Sequence, residues 1–205
     1  MALIKLNDRA VKDVTQFGSI SSLGSLTHIS TATASSSASI EFTSGIDSTY
    51  KEYVFYFVDI HAETNGAKFQ FQSDTGTNTN YNQQITSTNF RAFHNEGDGQ
   101  TGLGYTSSGD QANGTSFQNL SQDSQGADAD QSLCGSLHIF NPSSSIFVKH
   151  FIANTITSKN FGGEVFAINC YVAGYFNQTT ALTRFKFAMD SGNIDAGQIL
   201  LFGVN

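Results

Sequence analysis

Residues 166–176 read Phe-Ala-Ile-Asn-Cys-Tyr-Val-Ala-Gly-Tyr-Phe, with Phe166, Ile168, Cys170 and Val172 falling on one side of an extended chain. That period of two belongs to a strand, because successive side chains of a strand point to opposite faces whereas a helix repeats every 3.6 residues. Runs of the same kind recur outward from it in both directions: Val54-Phe55-Tyr56-Phe57-Val58, Phe69-Gln70-Phe71-Gln72, Leu137-His138-Ile139-Phe140, Phe185-Lys186-Phe187 and Ile199 to Val204. Each is rich in aromatic and β-branched residues, which pack well on a pleated surface, and stretches of Gly, Asn, Asp, Ser and Thr separate them. From Ser39 to Asn205 the chain therefore reads as all-β, a jelly-roll-like antiparallel β-sandwich of about nine or ten strands.

The runs differ in what covers them. Glu52 to Ile60 is apolar at both parities, as a central strand covered on two sides would be, whereas Phe69 and Phe71 oppose Lys68, Gln70 and Gln72, the pattern of a strand with one wet face. A longer alternating run covers Thr86 to His94, and the only proline, Pro142, ends one strand and turns the chain into the next. Regularity fades between Asn95 and Gln131, and loops of that length in a compact domain are usually functional or interfacial.

Residues 1–38 have another character. Leu3, Leu6, Ala10 and Val14, with Ile4 beside them, form the apolar stripe of a short amphipathic helix that is marginal without a surface to pack on. The Ser/Thr/Gly-rich residues that follow have the composition of an extended connector. The expected division is an N-terminal anchor and connector over 1–38 and a β-sandwich domain over 39–205.

Composition excludes several function classes. The formal net charge is -7 and charged residues make up 13% of the chain, so the clustered basic face of a nucleic-acid binder is missing. The first residues lack the apolar core of a secretion signal, and no apolar run approaches the roughly 20 residues of a membrane span, so a soluble protein made in a cytoplasm, without membrane insertion, is expected. Two cysteines, Cys134 and Cys170, lie in strand-like runs without metal-ligand spacing, and both are expected as reduced, buried thiols.

No catalytic or metal constellation emerges. Asp123, Asp128 and Asp130, and Asp74, Asn78 and Asn80, do not match the spacing of a calcium loop. The five histidines show no zinc pattern, no Gly-x-Ser-x-Gly elbow is present, and a chain without tryptophan lacks a favoured stacking surface for sugar cleavage. Neither an enzyme nor a cofactor is expected. The most plausible binding chemistry belongs to aromatic and amide side chains in or beside the long loops, Tyr81, Gln83, Phe93, His94 and Tyr105, which suit a glycan or a protein interface and equally suit ordinary cross-strand pairs.

SIEFTSGIDSTYKEYVFYFVDIH, SLHIFNPSSSIFVKHFIA, VAGYFNQTT and FAMDSGNIDAGQILLFGV resemble segments of structural proteins of tailed bacteriophages, marine phages in particular, of the tail-fibre and decoration type; the opening MALIKLNDRAVKDVT resembles their N-termini. The resemblance implies a non-enzymatic virion part, assembled in the host cytoplasm. On this reading it is a fibre or knob component, attached to other virion proteins by its N-terminus, that displays the sandwich outward for host-surface adsorption and forms a homotrimer. A capsid decoration or cement protein, a carbohydrate-binding module and a glycan depolymerase stand as alternatives.

Overall fold

The computed structural model describes residues 25–77, 79–122 and 125–205. The expected anchor residues Leu3, Ile4, Leu6, Ala10 and Val14 lie outside them, as do Asn78 and Asp123. The described residues form strands and loops without a helix: β1 (Leu26–Thr33), β2 (Ile40–Phe42), β3 (Glu52–Ala62), β4 (Phe69–Asp74), β5 (Ile85–Asn95), β6 (Thr101–Tyr105), β7 (Gln118–Asn119), β8 (Leu133–Phe140), β9 (Lys149–Phe161), β10 (Glu164–Phe176), β11 (Arg184–Met189) and β12 (Ile194–Val204).

They pair into an eight-stranded sheet, β1-β12-β3-β8-β9-β10-β5-β6, packed on a four-stranded one, β2-β11-β4-β7, and every pairing is antiparallel. The order carries a jelly-roll plan. In the small sheet β2 lies beside β11, followed by β4 and β7; in the large sheet β3, β10, β5 and β6 keep the matching order. The β8–β9 hairpin is inserted between β3 and β10, and β12 with β1 widens the sheet beyond β3. The fold is thus the expected all-β, jelly-roll-like sandwich. Among the described residues the first strand opens at Leu26, ahead of Ser39, because Ala32 faces the core and the Ser/Thr-rich residues around it pair with Gln198 to Val204.

Phenylalanine fills the layer between the sheets. Phe187 of β11 meets Phe42, Phe55 and Phe57 edge-on, with ring centroids 6.1, 5.0 and 5.5 Å away, and lies parallel to Phe69 and Phe71 at 5.9 and 6.3 Å. These geometries suit the ring quadrupole, and each fully buried aromatic side chain contributes roughly 1.5–3 kcal/mol by leaving water.

The other half of the interior is polar. Gln72 is fully buried rather than solvent-facing, because its Nε2 donates to the carbonyls of Gln83, Thr115 and Ser116 at 3.1, 3.2 and 3.0 Å. Gln118 accepts from Ser87 Oγ at 2.6 Å and donates to Gly109 O at 2.7 Å, while Gln125 donates to Ile60 O at 2.6 Å. Thr155 of β9 donates to Leu120 O at 2.5 Å. Buried amides thus satisfy the backbone of the long segment between β6 and β8, which lies against the inner face of the large sheet as part of the core. Its length therefore has a structural cause.

The two cysteines part company. Cys170 faces inward and is buried, which pushes its thiol up to about 11, while Cys134, expected as buried, is half-exposed and pairs with Ile156 on the opposite face. Both are free.

Candidate functional site

The large sheet has two faces and the small sheet covers one. Alternation along β9 sends Phe151, Ala153 and Thr155 inward, and His150, Ile152, Asn154 and Ile156 outward. The registers carry this division across the sheet: Ile156 lies beside Cys134, Ile152 beside Ala173, Tyr171 beside Phe90, Phe90 beside Tyr105, and Ala92 beside Leu103. The outward face of β5, β6, β8, β9 and β10 therefore carries a band of Ile156, Ile152, Tyr171, Phe90, Leu103 and Tyr105.

The band is open, and it is apolar apart from the amide pair Asn154 and Asn169, whose side chains hydrogen-bond at 2.7 Å between Ile156 and Tyr171. Leu103 is 76% and Tyr105 60% exposed at the edge strand β6, and Ile152 is 51% exposed near the middle of the sheet. Phe90 and Tyr171 stack with ring centroids 5.0 Å apart and planes 11° from parallel, which fixes a flat aromatic platform between them. No Lys, Arg, Asp or Glu stands at the outward positions of these strands; their polar members are Thr, Asn, Ser and the histidines His94, His138 and His150. Large contiguous apolar patches on a soluble domain mark interaction surfaces, and depletion of charge is the compositional mark of an interface centre.

The five side chains singled out from sequence do not converge. Tyr105 belongs to the band, where its hydroxyl donates to Asp110 and that bond holds its phenol above the usual range. His94, next along β5, is exposed with Nε2 3.0 Å from Asp98 Oδ1. Phe93 sits on the opposite face of the same strand, where its ring carries the Arg91 guanidinium 5.3 Å from the centroid. Tyr81 is a correction: it is buried, not displayed. Its hydroxyl donates to Glu41 Oε2 at 2.9 Å and Lys186 lies 5.3 Å from its ring centroid, and burial, followed by the Glu41 hydrogen bond, pushes the phenol up to about 12. Gln83 is half-buried, accepting from Gln178 Nε2 at 2.5 Å, at the far end of β5 from His94.

Phe90, Leu103, Ile152, Ile156 and Tyr171 were not singled out as site residues. Their signal lies in Phe151-Ile152-Ala153 and Tyr171-Val172-Ala173, which are apolar at both parities as Glu52 to Ile60 is. Such runs belong to strands that are covered on both sides.

Among the described residues the carboxylates form no cation centre. Asp74 caps its own turn, accepting from Gly76 N at 2.7 Å and Tyr81 N at 3.3 Å, and Asp128 accepts from Gln131 Nε2 at 3.1 Å. Among the described residues no three His, Cys, Asp or Glu side chains gather as metal ligands would. No protein-family model matches the chain, and no curated protein matches it.

Proposed function

We propose that the chain is a non-enzymatic structural component of a tailed-bacteriophage virion, a fibre or knob subunit that assembles with copies of itself through the outer face of the large sheet. The observation that carries this reading is the uncharged apolar band Ile152, Ile156, Tyr171, Phe90, Leu103 and Tyr105, left open beside an interior that is already filled. A second copy is the occupant that the charge pattern favours. The chain is acidic overall, yet this face has no charged side chain on β5, β6, β8, β9 or β10, so two copies meet over those strands without like-charge repulsion. Three copies follow the phage resemblance of the sequence.

Residues 1–17, with Leu3, Ile4, Leu6, Ala10 and Val14, provide attachment to other virion proteins on this reading, and the sandwich faces outward. Burying an apolar stripe of that kind contributes a few kcal/mol per chain at about 25 cal/mol per Å², and assembly multiplies the effect through effective concentration. Mass spectrometry of purified particles, followed by placing the sandwich in a cryo-EM map, tests the reading. Density for the chain on a fibre supports it; density on the head shell moves it to a decoration role, and absence from particles ends it.

A further inference from the structure

On the inner face of the large sheet, at the end where β5, β9 and β10 carry Arg91, Phe93, Lys159, Phe161, Phe166 and Ile168, an open cleft of about 280 Å³ remains. The register builds it. Ile168 pairs with Phe93 and Cys170 with Arg91, while Phe166 pairs with Lys159 and Glu164 with Phe161, so three aromatic rings and two cations from three strands line one hollow. Gly102 of β6 shapes its edge: a Cβ there would meet Phe93 Cε1 at 2.6 Å, so only glycine lets the ring lie against that strand.

The cations are held in a definite arrangement. Arg91 lies 5.3 Å from the centroid of Phe93, and Lys159 Nζ lies 5.2 Å from that of Phe161. Burial, then the nearby charges of Arg91 and Lys68, push the Lys159 ammonium below its usual range. A chain with 10 Lys and Arg against 17 Asp and Glu has placed Arg91 and Lys68 close enough for both to repel the Lys159 ammonium. The carboxylate nearest in the register, Glu164, is turned to Asn95 Nδ2. Arg91 and Lys159 have further interactions within the protein, so an incoming anion joins or replaces an existing contact.

We propose that this cleft binds an acidic sugar residue, its carboxylate between Arg91 and Lys159 and a ring face against Phe93 or Phe161. Guanidinium takes a carboxylate through two parallel N–H donors, ammonium adds a point charge, and the C–H faces of a pyranose pack on an aromatic face. The volume suits one sugar ring in a shallow site rather than a long chain in a groove. The cleft lies on the opposite face of β5 and β10 from the apolar band, so ligand and neighbouring copies do not compete. Only the biological source of the ligand, a glycan on the host surface, rests on the adsorption role proposed above.

The test is saturation-transfer NMR and calorimetry on the full chain with D-glucuronate, D-glucose, acetate and inorganic phosphate. The expected result is saturable binding of glucuronate at least about tenfold tighter than glucose or acetate. Phe161→Ala, at a ring that is 69% exposed, and Lys159→Gln are each expected to weaken it about fivefold or more while the light-scattering mass stays unchanged. No saturable glucuronate binding, binding no tighter than glucose, or equal binding of phosphate and acetate overturns the proposal. None of those results alters the particle and mass measurements on which the assembly role depends.

Discussion

The two faces of the eight-stranded sheet carry similar side chains and meet opposite fates. Inward, Phe55, Phe57, Phe151 and Val172 are sealed against the small sheet and the long segment that follows β6; outward, Ile152, Ile156, Phe90 and Tyr171 have the same chemistry and remain open. What differs is cover, since the small sheet has four strands for the eight it faces and lies on one side of them. Apolar patterning at both parities thus marks a strand whose two faces both suit burial, and on the reading proposed above the second burial is supplied by another copy of the chain. Mutations on the two faces should separate stability from association.

Phe187→Ala, at the centre of the inner cluster, is expected to cost about 3–5 kcal/mol, because five neighbouring rings lose a partner and rigid sheets close a cavity poorly. Urea unfolding monitored by circular dichroism measures it. A loss below about 1 kcal/mol would show that the inner face tolerates what the outer face does.

The polar half of the interior gives the next effect. Gln72→Leu removes the Gln72 donor from the carbonyls of Gln83 and Thr115, while Ser116 O keeps Gln111 Nε2 at 2.9 Å, and is expected to cost about 2–3 kcal/mol. Hydrogen exchange should speed up in the segment around Thr115 and Ser116 while the Phe187 cluster stays protected. Uniform loosening would mean that the two halves of the interior act as one unit.

A third, smaller effect depends on pH. Tyr81 titrates at about 12 in the folded protein against 10 for a free phenol, so the folded state keeps its proton where the unfolded chain loses it. Its contribution is complete below pH 10 and disappears as pH rises toward 12. Wild type is expected to lose about 1–2 kcal/mol across that window, and Tyr81→Phe to lack that component. Glu41, which accepts the hydrogen bond, acts at the other end of the scale: burial pulls its carboxyl up, but hydrogen bonds from Lys186 and Tyr81 outweigh this and lower it. Its contribution is therefore present above the ordinary carboxylate range and lost in acid.

Much of this was legible in the sequence. The runs Leu137 to Phe140, Phe166 to Phe176 and Thr86 to His94 fall within β8, β10 and β5, and Glu52 to Ile60 on the interior strand β3, because alternation of large apolar residues leaves little choice of element. The amide half was not. Gln72, Gln118 and Gln125 carry the composition of wet loops, and only the folded chain shows that Gln72 and Gln125 reach carbonyls distant in sequence and that Gln118 takes the Ser87 hydroxyl. Strands β6 and β7 escaped for the same reason: Gly102, Gly104 and a two-residue pairing at Gln118–Asn119 have no propensity signal, and neighbours define them. Among the candidate site residues, Tyr105 sits on the open band because β6 pairs with the edge of β5, and Tyr81 is buried against Glu41 of β2 and Lys186 of β11, neither of which local composition shows.

Leu103→Ser should change the stability of a single chain by less than about 0.5 kcal/mol, since Leu103 is 76% exposed, and should matter only to association. The decisive measurement is therefore light scattering coupled to size-exclusion chromatography at micromolar concentration, on the wild type and on Leu103→Ser combined with Ile152→Asn. The account predicts a wild-type mass that is a multiple of the single chain, three copies on the phage reading, falling to one chain in the double variant with an unchanged circular dichroism spectrum. A wild type that is strictly monomeric, or an assembly that both substitutions leave intact, would contradict the assignment of the outer face as the surface where copies meet.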